Sequence, residues 1–168
     1  AFLWFGTLAG CSSVRQCHVP LDGSFKATHR LQIEPVFVNL SLGDLAGDRL
    51  RIGFRIKEGQ ELAFSFEQRF RPYVVTETGE KSFVENPIRY PNGQLFQNRD
   101  RIYRIRPTSK KGRNLNDEGF VIRADFFGNS RVDWETVKSV DLVWPDPMSM
   151  GQSEWRWKNI TVPYCPAK

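Results

Sequence analysis

The stretch Leu50-Arg51-Ile52-Gly53-Phe54-Arg55-Ile56-Lys57 alternates apolar with other residues without a break. Side chains of an extended strand point to opposite faces in turn. A period of two therefore puts Leu50, Ile52, Phe54 and Ile56 on one face and Arg51, Arg55 and Lys57 on the other. Such a strand is half-buried, one face on a core and one in water, as antiparallel sheets commonly are. Glu58-Gly59-Gln60 then turns the chain, and Leu62, Phe64 and Phe66 repeat the period, which predicts a hairpin.

The same signal recurs along the chain. Residues 120–127 alternate with Phe120, Ile122, Ala124 and Phe126 on one face; Val140, Leu142 and Trp144 form a strand that Pro145 ends. Residues 31–42 are extended but interrupted by Pro35, which cannot donate to a ladder, so an edge or bulged strand is expected. Residues 73–75 and 101–106 are further strands, and residues 12–30 read as a tether leading into an early one. In the last strand, residues 155–162, the apolar parity shifts between Trp157 and Ile160, which predicts a bulge or twist there. Eight or nine short strands without a long amphipathic helix predict an all-β fold, an antiparallel β-sandwich of jelly-roll type. A high phenylalanine content suits a sheet-rich core. No repeat or linker divides the chain, so residues 25–168 are expected to form one domain.

The first residues carry a different message. An apolar run, Ala1-Phe2-Leu3-Trp4-Phe5-Gly6-Thr7, precedes Leu8-Ala9-Gly10-Cys11 and then Ser12-Ser13. Small residues behind an apolar stretch fit a signal-peptidase site, and a cysteine directly after them offers a thiol for lipid. Leu8-Ala9-Gly10-Cys11 resembles the lipobox of bacterial lipoproteins. The resemblance implies that residues 1–10 are the end of a signal peptide and that Cys11 becomes the first mature residue, lipidated and followed by a tether to residue 24. Acyl chains of this kind, including palmitate, hold a protein to the bilayer by about 0.8 kcal/mol per buried methylene. Ser12 at the next position implies an outer-membrane destination, facing the periplasm or the cell surface. The alternative is that this apolar run is a buried strand or helix ending in Gly-Cys.

The chain has three cysteines, an odd count that needs an explanation in an exported protein. With Cys11 acylated as the resemblance implies, Cys17 and Cys165 remain, and an oxidising compartment lets them pair. That bridge requires the first and last strands to lie side by side. Two free, buried thiols are the alternative. A second resemblance lies near the end, where residues 137–144 and Trp157-Lys158-Asn159-Ile160-Thr161-Val162 are similar to the closing strands of galactose-binding-like jelly rolls, with Lys158 where an aspartate is common. It implies adjacent termini and a fold widely used to bind carbohydrate.

No catalytic constellation stands out. His18 and His29 are the two histidines; both precede the first strong strand and neither accompanies a Gly-x-Ser-x-Gly elbow. Asp125, Asp133, Glu135 and Asp141 are close in sequence but sit at outward or turn positions. A binding role without metal or other cofactor is expected, with a glycan-active enzyme as a further alternative. A net charge of +5 and a pI near 9.3 favour acidic neighbours; an exported protein rarely meets nucleic acid, so that partner is excluded. Arg51, Arg55 and Lys57 on one strand and Arg104 and Arg106 on another form a basic patch if the strands share a sheet; otherwise they are a solvated face. Trp134, Trp144, Trp155 and Trp157 are candidates to stack on sugar rings, the alternative being core. The expected function is recognition of an envelope or extracellular glycan, and the alternative is a structural subunit of an envelope assembly with a protein partner.

Overall fold

The structure, a computed structural model, describes residues 14–21, 33–56, 62–85, 93–97, 102–107, 120–128, 131–149 and 153–166. It is an all-β antiparallel sandwich. Four strands, β1 (Arg15–Pro20), β2 (Ile33–Leu42), β3 (Arg49–Ile56) and β9 (Phe120–Phe127), make one sheet in the order β1-β2-β3-β9. A second sheet has the order β11-β10-β5-β6, from β5 (Tyr73–Thr76), β6 (Lys81–Phe83), β10 (Ser139–Pro145) and β11 (Glu154–Thr161). A third, of β4 (Leu62–Ser65), β7 (Gly93–Gln97) and β8 (Ile102–Pro107), is ordered β4-β8-β7. The strands beyond the eight or nine expected are β6 and β7. Three residues of β6, Lys81-Ser82-Phe83, are too few to show a period, and β7 lies in a stretch with no alternation.

The alternation in β3 has the predicted consequence. Leu50, Ile52 and Phe54 are fully buried and join Val38, Leu40 and Leu42 of β2 and Ala124 and Phe126 of β9 in one core. The opposite sheet supplies Val74, Val140, Leu142, Trp144, Trp157 and Ile160 to the same core. Rings link the layers. Trp144 meets Phe54 edge-on at 5.6 Å and Phe64 of β4 at 6.1 Å, and Phe64 stacks on Tyr103 of β8 at 5.3 Å. The small sheet is therefore attached through its aromatics, and through the Trp144 indole N–H donating to the Ala63 carbonyl at 2.8 Å.

The sandwich is joined along both edges. On one side Val84, just past β6, bridges Phe126 of β9; the Glu85 N–H donates to the Asp125 carbonyl at 3.1 Å, and the Ser82 hydroxyl to the Phe127 carbonyl at 2.8 Å. On the other, Cys17 in β1 is disulfide-bonded to Cys165 behind β11, with Cα atoms 5.7 Å apart. Arg15 reinforces this seam, donating to the Cys165 carbonyl at 3.1 Å and pairing with Glu135. The pairing is as expected, but β1 and β11 are facing edges of two sheets, not neighbours in one. Residues 15–20, assigned above to a tether, are strand: six successive pairings, Arg15 with Leu42 to Pro20 with Phe37, dock them on β2.

Both expected irregularities occur. The β2–β3 register shifts between Pro35 and Phe37, leaving Val36 as the extra residue, so the proline sits at a bulge. β2 is an interior strand, not an edge, and Pro35 lies beyond the end of β1, whose pairing stops at Phe37. In β11 the register jumps from Ile160 opposite Val140 to Trp157 opposite Leu142. Asn159 takes up the extra residue with φ 57°, and its N–H donates to Asp141 Oδ1 at 3.0 Å. Left-handed backbone disfavours a Cβ branch but suits Asn or Gly. Asn159→Val is therefore expected to cost about 1–2 kcal/mol by chemical denaturation and Asn159→Gly only a few tenths; equal losses would mean that the left-handed turn is not what limits this position.

Candidate functional site

The outward face of the β1-β2-β3-β9 sheet carries an unusual set of side chains. Cross-strand register aligns His18, Asn39, Arg51 and Asp125 in one row over all four strands. The next row is Pro20, Phe37, Gly53 and Arg123, and the row on the other side is Gln16, Ser41, Arg49 and Phe127. Residues two apart on a strand are about 7 Å apart and neighbouring strands about 4.8 Å, so an oligosaccharide laid on this face meets side chains of adjacent rows and strands. The bulge at Val36 matters here. Glu34 and Phe37 are three apart in sequence, and the extra residue is what returns both to the outward face.

At the centre of the row, Arg51 Nε donates to Asp125 Oδ1 at 2.6 Å and Nη2 to Oδ2 at 2.9 Å. This fork is partly shielded, the two side chains being 16% and 11% exposed. Hydrogen bonding to Asp125 holds the Arg51 guanidinium above its ordinary pKa, while burial works the other way. The pair leaves the remaining guanidinium N–H groups and carboxylate lone pairs for other partners. Beside it, Asn39 Oδ1 and Ser41 Oγ are buried without a hydrogen-bond partner among the described residues.

The neighbouring row supplies an aromatic surface. The Phe37 ring covers Gly53, where an added Cβ would lie 2.1 Å from the nearest ring carbon. His18 flanks it with ring centroids 5.1 Å apart, and the Arg123 guanidinium lies 5.9 Å from its centroid on the other side. Gly53→Ala is expected to destabilise by about 1–3 kcal/mol, since the half-buried ring must move. In a Phe37→Ala background the same change should cost under about 1 kcal/mol or stabilise, because alanine removes backbone freedom that glycine keeps. Urea denaturation of the four proteins tests this, and equal costs in both backgrounds would contradict it.

The residues singled out from the sequence separate. Trp134, Trp144 and Trp157 are at most 1% exposed: Trp144 and Trp157 point inward from β10 and β11 and Trp134 packs into the same core from a turn, so they offer no face to a sugar. Trp155 is half-buried against the same core. The basic residues do not assemble as expected, because Arg51 and Arg55 belong to β3 whereas Arg104 and Arg106 belong to β8 of the small sheet. Arg104 donates to the Met148 sulfur at 3.4 Å. Lys57, Cys11, His29, the proposed signal peptide and residues 58–60 lie outside the described residues. The hairpin expected of residues 50–57 and 62–66 does not form, because β3 pairs with β2 and β9 whereas β4 pairs with β8 in the small sheet. Phe37, Asn39 and Arg123 were not singled out. The signal for the first two is the parity of residues 37–42, which places Phe37, Asn39 and Ser41 together opposite Val38, Leu40 and Leu42; for Arg123 it is the parity of residues 120–127, opposite Ala124 and Phe126.

Among the described residues, no group of three or more His, Cys, Asp or Glu side chains is arranged to hold a metal ion, and no helix is long and apolar enough to cross a membrane. No family model matches this chain, and neither does any curated protein or solved structure.

Proposed function

We propose that this protein is a bacterial lipoprotein, anchored through Cys11, whose β-sandwich binds an envelope or extracellular glycan on the outward face of the β1-β2-β3-β9 sheet. Binding, and not catalysis, is its role. The observation that carries this reading is the polar row His18, Asn39, Arg51 and Asp125 running beside the Phe37 ring. Sugar rings pack their C–H faces on aromatic surfaces, while their vicinal hydroxyls match planar groups that donate or accept in pairs. Asn39 and the Arg51–Asp125 fork are planar groups of that kind. The anchor rests on Leu8-Ala9-Gly10-Cys11, and placement at the cell envelope follows from it.

A glycan array probed with oxidised residues 12–168 tests the binding role. Binding by the parent protein, lost in Phe37→Ala while unfolding stays cooperative, is the expected result. Silence on every glycan, together with a protein partner captured by cross-linking in the envelope, would overturn it in favour of a subunit of an assembly. Metabolic labelling with a palmitate analogue is expected to mark the parent chain and spare Cys11→Ser; an unlabelled parent would remove the anchor.

A further inference from the structure

We infer that the ligand of this face is an acidic sugar, its ring lying on Phe37 and its carboxylate held by Arg123. This rests on the glycan reading above and specifies the class of sugar. The outward face presents four arginines, Arg49, Arg51, Arg55 and Arg123, against the carboxylates of Glu34 and Asp125, so its charge complements an anion. These arginines are not equivalent. Arg51 is committed to Asp125, and Arg49 lies 3.6 Å from Asp44. Arg123 is exposed and makes no ion pair among the described residues; its guanidinium lies over the Phe37 ring, 5.9 Å from the centroid.

Gly53 is the reason these two side chains meet. It stands between Phe37 and Arg123 in the row, and the ring of Phe37 occupies the space that a side chain there would take. A pyranose packed on Phe37 thus shares that ring with the guanidinium, within reach of a carboxylate carried by the sugar. Guanidinium and carboxylate form two parallel hydrogen bonds, which fixes orientation as well as affinity. In the adjoining row, Asn39 Oδ1 is buried and lacks a donor among the described residues; after rotation of the amide, a sugar hydroxyl supplies one. A face kept with an unmade hydrogen bond beside an uncommitted cation is arranged for a ligand that carries both hydroxyl and carboxylate.

The test uses the full chain with Cys11→Ser, oxidised, titrated calorimetrically with uronic acid oligosaccharides, each beside its carboxyl-reduced counterpart. An acidic member is expected to bind at least about tenfold more tightly than its reduced partner, as a charge-assisted hydrogen bond implies. Arg123→Gln should bring that ratio close to one with the melting temperature unchanged, whereas Phe37→Leu should weaken both members of the pair alike. Equal binding of acidic and reduced members overturns the acidic assignment and leaves the glycan reading standing. A ratio that survives Arg123→Gln removes Arg123 from the site. No binding to any oligosaccharide overturns both inferences.

Discussion

Replacing Cys17 and Cys165 together with alanine is expected to lower the free energy of unfolding by about 5 kcal/mol. The bridge spans 148 residues of sequence, nearly the whole chain, and cross-linking so long a loop removes much of the freedom of the unfolded ensemble. A domain of ordinary stability has only about 5–15 kcal/mol to lose. The change also opens a seam, since Cys165 is buried and β1 is the edge strand of its sheet. Arg15 still donates to the residue 165 carbonyl and pairs with Glu135, so that edge keeps part of its closure. Denaturant titration separates these contributions. An effect arising in the unfolded state raises the m-value as well as lowering the midpoint, because the uncrosslinked chain exposes more surface. A loss below about 1 kcal/mol would show that the unfolded chain is already compact enough to make the bridge redundant.

The second large effect is at Trp144, and it is sharpest as a comparison. Trp144 and Trp157 are both fully buried and both pack on Phe54. They differ in their polar atom. The Trp144 N–H donates to the Ala63 carbonyl at 2.8 Å, whereas the Trp157 N–H has no partner among the described residues. Trp144→Phe therefore removes apolar area and also strands a buried carbonyl, at about 2–4 kcal/mol in all. Trp157→Phe loses similar area while removing an unsatisfied donor, and should cost about 1 kcal/mol. Truncation of Trp144 to alanine is expected to reach about 5 kcal/mol, adding a cavity where three sheets meet. Thermal and urea unfolding of the two phenylalanine variants provide the measurement. Equal losses would mean that the Ala63 hydrogen bond contributes nothing net.

Both expectations concern features that the sequence shows unequally. The faces of β3 were legible because Leu50 to Ile56 alternate, and a period of two leaves one choice of buried side. The irregularities were legible too. Pro35 cannot donate to a ladder, and a parity change between Trp157 and Ile160 cannot occur in a regular strand that keeps one face buried. The candidate site was hidden. Parity put Arg51 on an outward face but did not reveal that Asp125, 74 residues away, occupies it. Nor did it show that Arg104, equally basic and on a strand, belongs to a different sheet. Of the four tryptophans, for which core was the alternative to a sugar platform, three are fully buried core.

Local covalent chemistry fixed what repeats every two residues: strand, face, turn and bulge, and with them the all-β class. The neighbour of each strand was settled only in three dimensions, because alternation specifies a face without naming the strand beside it, and pairing is chosen by how whole faces bury against one another. The row His18, Asn39, Arg51 and Asp125 is the outcome of that choice. So is the meeting of Phe37 and Arg123 across a glycine, which no spacing along the chain encodes.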